Sequence, residues 1–257
     1  MCEMLTLERQ EKILALLAKN EVVKIQELIV ETGASESTIR RDLTELEQRN
    51  KLKRIHGGAT LLKKMRDEPT IAQKTLKNRQ EKIKIAKQAA ELVQDGDCLF
   101  LDAGTTTYEM IPFLKGKQIV VVTNGLTNIA HLLEAEIDTH VLGGYAKKGT
   151  HAFVGRNALE AIDAFRFDFV FLGTNGITPS DGYTTPDLEE AYIKVQALKR
   201  GRQTYVLADH TKFGDVSFSK IADVERAAII TSSYTREEQP ELFSQLAAKT
   251  TIKVVEQ

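Results

Sequence analysis

Short apolar runs alternate with helical segments through the second half of the chain, and this alternation constrains the fold more than any other feature. Seven runs have the length and Val/Ile/Leu content of buried strands: CLFLD, QIVVVT, THVLG, FDFVFLG, TYVLAD, AAIIT and IKVVE. Helical patterns such as DLEEAYIKVQALKR lie between several of them. Continuous apolar strands separated by helices predict an α/β domain with a mainly parallel sheet covered on both faces.

Small and polar residues follow the ends of five of these runs. They are Ala103–Thr107, Asn124-Gly125, Gly144, Thr174–Gly176 and Asp209-His210. Each motif alone is typical of an ordinary turn. Because ligands bind outside the carboxyl ends of parallel strands, the five motifs together predict a site for a small polar ligand.

The residue types in these loops favour a phosphorylated sugar. Gly104 and the three threonines that follow it at a helix N-terminus are a good seat for phosphate, with Lys147, Lys148 or Lys212 as the countercharge. Carboxylates and amides can bond sugar hydroxyls. The resulting ligand-binding prediction comprises Asp102, Gly104, Thr105, Thr106, Thr107, Asn124, Gly144, Lys147, Asn175, Glu190, Asp209 and Lys212.

Other ligand classes have no motif in this sequence. The first strand is not followed by G-x-G-x-x-G, and there is no Walker A motif, which disfavours a dinucleotide or ATP. The five histidines have no metal-ligand spacing. We therefore expect neither a cofactor nor a metal ion.

A helix-turn-helix pattern occupies the N-terminal region. LTLERQEKILALLAKN and KIQELIVETG place apolar residues at helical spacing, and Gly33 ends the second helix. Ser35 is the expected N-cap of a third helix. At about 100° per residue, Ile39, Leu43 and Leu46 of that helix form one buried stripe.

The opposite face of the third helix carries side chains suited to DNA. Arg reads guanine and phosphate, while Ser and Thr make adaptable contacts. KLKRIHGGATL then predicts a basic β-hairpin, or wing. The DNA-binding prediction comprises Ser37, Thr38, Arg40, Arg41, Thr44, Lys53, Arg54 and His56.

Charge is distributed unevenly along the chain. Residues 36–66 carry nine basic and four acidic side chains, although the whole chain of 257 residues has a net charge of −1. A lone Arg-Arg pair would usually be a solvated surface feature. Here the basic wing and the hydroxyl-bearing helix face accompany it, and the combination favours double-stranded DNA as a partner.

These features predict three segments. Residues 1–60 form a winged helix-turn-helix domain, the polar residues 61–77 a linker, and residues 78–257 the α/β domain. No apolar run approaches the roughly 18 residues of a membrane helix, so no membrane partner is expected. The two cysteines and the absence of a signal-peptide core predict a cytoplasmic protein.

The motifs also resemble a known family. ASESTIRRDLTELEQRNKLKRIHGGA is similar to the N-terminal signature of the DeoR family of bacterial sugar-metabolism repressors, and LDAGTTT, VVTNG, VLGG, GYTTPDLEEAYIK and LADHTKFG resemble its sensor domain. The resemblance implies a helix-turn-helix at about residues 23–42 and a sensor domain similar in fold to ribose-5-phosphate isomerase. ASESTIRRDL, LDAGTTT, FLGTNG and TTPD look most like the fructose-operon repressors of Gram-positive bacteria, which implies fructose 1-phosphate as inducer.

Two alternatives remain at this stage. One is a sugar-phosphate isomerase-like enzyme with an accessory DNA-binding domain, although the acidic loop of the isomerases is replaced here by Gly173–Ile177. The other is an adaptor that uses the helix-turn-helix for protein docking. Because single helix-turn-helix modules bind weakly and paired modules match palindromic sites, we expect a homo-oligomer, either dimer or tetramer.

Overall fold

The computed structural model describes residues 5–20, 22–49, 51–55, 57–61 and 64–256. These residues form two compact units, Met1–Lys64 and Met65–Gln257. The predicted domain limits at 60 and 78 lie on either side of the boundary between the units. No helix among the described residues combines the length and apolar character needed to span a bilayer.

The first unit is a winged helix-turn-helix. Ile13, Leu17, Leu28, Ile39 and Leu43 are fully buried in its core. The wing strands pair antiparallel in the order β1-β3-β2. Its elements are α1 (Thr6–Asn20), β1 (Val22–Lys24), α2 (Ile25–Thr32), α3 (Glu36–Gln48), β2 (Leu52–Ile55) and β3 (Gly58–Leu61).

Local signals set the turn between α2 and α3. Gly33 adopts the left-handed conformation, with φ 69°, and closes α2. The Ser35 hydroxyl then accepts a hydrogen bond from the Thr38 backbone N–H at 3.3 Å and begins α3. Both features confirm the sequence-based interpretation of this turn.

The second unit is built on a seven-stranded sheet in which every neighbouring pair is parallel. All seven apolar runs noted above are its strands, and two buried clusters of apolar side chains lie in this unit. The strands are β4 (Cys98–Leu101), β5 (Val120–Thr123), β6 (Asp138–Val141), β9 (Phe167–Gly173), β12 (Gly201–Leu207), β14 (Ala228–Ser232) and β15 (Ile252–Val255).

Helices and smaller strands complete the unit. The helices are α4 (Ile71–Leu76), α5 (Arg79–Ala90), α6 (Thr105–Tyr108), α7 (Ile111–Leu114), α8 (Leu126–Glu134), α9 (Arg156–Ile162), α10 (Leu188–Arg200), α11 (Ser233–Glu238) and α12 (Pro240–Ala247). A second antiparallel sheet consists of β10 (Gly176–Thr178), β11 (Gly182–Thr185) and β13 (Ser219–Ala222), and β7 (Tyr145–Ala146) pairs with β8 (Phe153–Val154).

The strand order creates a switch point in the main sheet. The order is β15-β14-β12-β9-β4-β5-β6. The chain starts at β4, proceeds outward through β5 and β6, and then returns to the other side of β4 with β9. Crevices for ligands form where the winding direction reverses, which here is between the carboxyl ends of β4 and β9.

The segment predicted as a linker contains helix α4, which belongs to the second unit. Polar contacts hold this helix: the Ile71 N–H donates to the Gly149 carbonyl at 2.9 Å, and Lys74 pairs with Glu68 at 3.2 Å. None of its residues is fully buried. A helix held in this way has no apolar stripe, so the pattern of the sequence does not reveal it.

Candidate functional site

The outer face of α3 presents one arginine that is not engaged within the unit. Arg41 is exposed and makes no hydrogen bond or ion pair with any residue that the structure describes. Ile39, Leu43 and Leu46 are at most 3% exposed on the opposite side. The helix therefore turns Arg41 to solvent while its apolar stripe holds it on the core.

The other predicted DNA-binding residues on α3 have local partners. Arg40 pairs with Glu36 at 2.6 Å. The Thr38 hydroxyl contacts that of Ser35 at 2.9 Å, and the Ser37 hydroxyl does the same. These contacts orient the first turn of the helix, where base and phosphate contacts are expected for a recognition helix.

The wing is tied to α3. The Arg54 guanidinium donates to the Thr44 hydroxyl at 2.8 Å, and the Arg54 backbone N–H donates to Glu47 at 2.8 Å. Lys53 is partly exposed on β2. His56 lies outside the described residues. The wing cations therefore lie beside the recognition helix, as the sequence predicts.

The sequence-based reasoning missed one buried ion pair beneath this face. Asp42 follows Arg41 and is 1% exposed, and both its oxygens accept from the Arg9 guanidinium, at 2.5 and 3.2 Å. This pair joins α3 to α1. Asp42 lies three residues after Ile39 and four before Leu46, so its position on the buried stripe is the signal that could have identified it.

A cleft opens at the switch point of the main sheet. Loops after β4 and β9 form its floor, and residues of α4, α5 and α10 form its walls. Its lining residues are Ile71, Lys74, Lys82, Asp102, Ala103, Gly104, Thr105, Thr106, Thr150, Gly173, Thr174, Asn175, Glu190, Lys194, Leu207 and Lys212.

Seven of the twelve predicted ligand-binding residues line this cleft: Asp102, Gly104, Thr105, Thr106, Asn175, Glu190 and Lys212. Among the other five, Thr107 is fully buried and its hydroxyl donates to the Asp102 carbonyl at 2.7 Å. The Asn124 side chain accepts from the Ala103 N–H at 3.0 Å. Both side chains therefore hold the backbone of the loop after β4 by hydrogen bonds and do not line the cleft.

The remaining three also support the cleft rather than line it. Gly144 has φ 99°, and a Cβ there would lie 2.6 Å from a backbone carbonyl oxygen. Asp209 caps a turn of 3₁₀-helix by accepting from the Thr211 N–H at 3.0 Å. Lys147 pairs with Glu190 at 2.8 Å and Asp187 at 3.0 Å. Direct ligand contact by these residues stays a prediction.

The structure adds lining residues that the sequence-based reasoning did not select, above all Lys82 and Lys194. Lys82 lies three, four and seven residues before Ile85, Ala86 and Ala89, which are buried. A lysine inside an apolar helical stripe is the signal that could have identified it. Lys194 occupies the equivalent place on α10 and forms a buried ion pair with Asp102.

Lys82 is the most unusual cation of the cleft. It is 3% exposed, its ammonium donates to the Lys74 carbonyl and to the Thr105 hydroxyl at 3.1 Å, and it makes no ion pair with a described carboxylate. Burial lowers its pKa to about 8; the negative charge of Asp209 opposes this effect, and the charges of Lys212 and Lys74 add to it. Burial likewise lowers the pKa of Lys74.

Three polar side chains in the cleft each have one oxygen or nitrogen atom without a hydrogen-bond partner among the described residues. Asp102 Oδ2 accepts from Lys194 and from the Gly173 N–H at 2.8 Å, while Oδ1 has no described donor. Glu190 Oε1 accepts from Lys147 and Thr150, while Oε2 has no described donor. Asn175 accepts from a threonine hydroxyl at 3.2 Å, and its Nδ2 donates to no described residue.

The ionisation of Glu190 is fixed by its neighbours. Burial alone would raise its pKa, but the charge of Lys194 and the hydrogen bonds from Lys147 and Thr150 outweigh burial and lower it. Burial also acts to lower the pKa of Lys147, and Glu190 with its acidic neighbours reverses this and raises it. The cleft thus combines an ionised Glu190 carboxylate with the ammonium groups of several lysines.

A winged helix-turn-helix with an available arginine, followed by an α/β unit with a polar cleft at its switch point, defines a ligand-responsive DNA-binding regulator. The chain matches the DeoR-like helix-turn-helix domain over residues 9–65 and the DeoR C-terminal sensor domain over residues 77–233. It belongs to the DeoR family.

Full-length relatives agree with this assignment. A Bacillus subtilis strain 168 protein named an uncharacterized HTH-type transcriptional regulator, FruR, is 51% identical over 98% of this chain and 99% of its own length. The lactose phosphotransferase system repressor of Staphylococcus aureus NCTC 8325 is 32% identical over 97% of this chain and 98% of its own.

Among solved structures, ribose 5-phosphate isomerase A of Methanocaldococcus jannaschii is 19% identical. It covers 53% of this chain and 55% of its own, with a TM-score of 0.40.

Proposed function

We propose that this DeoR-family regulator represses a fructose-utilisation operon and that fructose 1-phosphate, bound in the switch-point cleft, releases it from operator DNA. The observation that carries the proposal is Lys82, a buried ammonium group without a carboxylate partner among the described residues. A buried cation is costly unless an anion offsets it. A phosphate supplies that anion.

The phosphate seat has further donors. The backbone N–H groups of Thr105 and Thr106 donate to no described residue, because they belong to the first turn of a helix. Helix α6 has four residues, so the amides themselves contribute more than any helix dipole. Lys212 lines the same cleft and adds positive charge.

The sugar hydroxyls are held by the atoms of Asp102, Glu190 and Asn175 that have no hydrogen-bond partner among the described residues. Asp102 Oδ1 and Glu190 Oε2 are acceptors and Asn175 Nδ2 is a donor, so the set matches a polyol. Fructose is favoured by the motif resemblance, and a sugar operon is in keeping with the Staphylococcus relative, which is named a lactose phosphotransferase system repressor.

A thermal-shift screen of the full-length protein tests the effector. A ligand that binds the folded state raises Tm in proportion to ln(1 + [L]/Kd). We expect fructose 1-phosphate to raise Tm and fructose to leave it unchanged. Lys212→Ala should weaken the shift, whereas Lys220→Ala, an exposed lysine on β13, should keep it. Equal shifts with fructose and its phosphate would contradict the phosphate seat.

We further propose that the protein is not an enzyme. A general base works best with a pKa near the working pH, whereas Glu190 has a lowered pKa and Asp102 is paired with Lys194. We expect the full-length protein to isomerise neither pentose nor hexose phosphates in an assay that follows the sugar phosphate by NMR. Turnover that Glu190→Gln abolishes would instead support the enzyme alternative.

On DNA we propose that the protein acts as a homo-oligomer. A paired helix-turn-helix reads two half-sites about one helical turn apart. Sedimentation of the protein at micromolar concentration, alone and with operator DNA, should show at least a dimer. A monomer under both conditions would contradict this proposal.

A further inference from the structure

Helix α4 is both a wall of the cleft and the first helix after the boundary between the two units. Ile71 and Lys74 line the cleft. The segment Glu68–Leu76, which we term the latch, contains this helix and the acidic residue before it. Any movement of the latch therefore occurs close in sequence to the end of the DNA-binding unit at Lys64.

A small number of polar contacts hold the latch. Lys82 donates to the Lys74 carbonyl in the last turn of α4, as cations often do at helix C-termini. Glu68 accepts from Lys74 at 3.2 Å and from Lys147 at 3.3 Å. The pair of Glu68 with Lys74 lies within the latch, whereas the Ile71 N–H, which donates to the Gly149 carbonyl at 2.9 Å, joins α4 to the rest of the unit as Lys82 and Lys147 do. Because no residue of α4 is fully buried, its local stability depends on these polar contacts.

The latch lies against the predicted phosphate seat. Ile71 and Lys74 line the cleft together with Lys82 and Thr105. A ligand bound at Thr105 therefore lies beside the latch. The strands and their loops belong to the buried sheet, whereas α4 has no fully buried residue, so the latch is the wall of the cleft that moves at the lowest cost.

The groups that hold the latch are the groups that a ligand attracts. Lys82 bridges the Lys74 carbonyl and the Thr105 hydroxyl, so an anion beside Thr105 competes with the latch for Lys82. Lys147 bridges Glu68 and Glu190, so a ligand hydroxyl at Glu190 acts on the second contact. Both halves of a sugar phosphate thus act on the same segment.

We propose that the latch is the element that reports ligand binding to the DNA-binding unit: the ligand takes Lys82 from the Lys74 carbonyl, loosens the contacts of Glu68, and frees α4. This inference rests on the proposed effector for its natural trigger. The latch itself is testable without any ligand, since its contacts belong to this chain.

The ligand-free test uses Glu68→Gln, which keeps the shape of the side chain and removes its charge. We expect hydrogen exchange over residues 65–77 to rise about tenfold, the equivalent of one charge-assisted hydrogen bond, and operator Kd to rise about fivefold or more. Glu160→Gln, in an exposed pair with Arg156, should change neither. Unchanged exchange, or faster exchange with unchanged operator affinity, would overturn the latch.

The ligand arm separates the two proposals. If fructose 1-phosphate raises Tm and also speeds exchange over residues 65–77, both stand. If it raises Tm but leaves that segment protected, the latch is overturned and the effector stands. If no sugar phosphate raises Tm while Glu68→Gln still frees the segment and weakens operator binding, the effector fails and the latch stands.

Discussion

Replacing Lys82 by methionine should stabilise the ligand-free protein and abolish its response to ligand. At pH 7 the buried ammonium of the native protein opposes folding, because its pKa is lowered from 10.5 to about 8. At about 1.4 kcal/mol per pKa unit the opposition amounts to about 3 kcal/mol. Solvent at the cleft mouth and the loss of two hydrogen bonds reduce the gain from Lys82→Met to about 1–2 kcal/mol.

A substitution in the core of a site usually lowers the free energy of unfolding, whereas Lys82→Met is expected to raise it. The dependence of this gain on pH provides a second check. A lysine whose pKa is lowered by folding costs stability fully below about pH 8, and the cost disappears as pH rises towards 10.5. The advantage of Lys82→Met should therefore be full at pH 7 and much smaller at pH 9.5.

The assay is thermal unfolding at both pH values with and without fructose 1-phosphate. At about 2–4 °C per kcal/mol, Tm of Lys82→Met should be roughly 2–8 °C above that of the native protein at pH 7. Lys84→Met, on the exposed side of the same helix, is the matched control and should behave like the native protein. A Lys82→Met variant with lower Tm and a normal ligand response would refute the assignment of Lys82.

Further predictions concern the DNA-binding unit, the cleft and pH. Arg41→Ala should weaken specific operator binding by about 1–3 kcal/mol in fluorescence anisotropy, and an unchanged affinity at physiological salt would show that α3 does not read the operator through Arg41. Asp42→Asn removes the negative charge that two hydrogen bonds from the buried Arg9 guanidinium reach and should cost about 3 kcal/mol in denaturant unfolding of this unit, whereas Glu36→Gln in an exposed pair should cost at most about 1 kcal/mol. Burial alone would lower the pKa of His210, but the hydrogen bond and charge of Glu81 outweigh burial and raise it. The pair with Glu81 therefore stabilises the protein fully below about pH 6.5 and less as the pH rises further. The stability lost on His210→Gln should be larger at pH 6 than at pH 8.

Periodicity sufficed for the sheet and for the recognition helix. Each of the seven apolar runs is too short for a buried helix and is bounded by turn residues, so a strand is the main alternative. On α3, Ile39, Leu43 and Leu46 repeat at helical spacing and are buried as expected. The rule that ligand loops follow the carboxyl ends of strands then located the loops after β4 and β9, whose residues 103–106 and 174–175 line the cleft.

Tertiary contacts account for the residues that periodicity missed. Asp102 and Lys194 are 92 positions apart and meet because α10 packs against β9, the neighbour of β4 in the sheet. Lys82 was not among the predicted ligand-binding residues, since lysine on a helix is usually exposed. Its burial follows from the packing of α4 and the Thr105 loop over it, and neither contact is encoded in the local pattern.

The most direct test of the account is operator binding measured by fluorescence anisotropy at one fixed salt concentration, with increasing fructose 1-phosphate. The salt must be held constant because phosphate contacts make affinity depend strongly on it. We predict that fructose 1-phosphate raises the operator Kd of the native protein about fivefold or more and that fructose does not. Lys82→Met lacks the contact with the Lys74 carbonyl that holds α4, so it should bind operator more weakly than the native protein and should not respond to fructose 1-phosphate. An operator Kd that is the same with and without fructose 1-phosphate, or that fructose changes equally, would contradict the claim that this cleft senses a phosphorylated sugar.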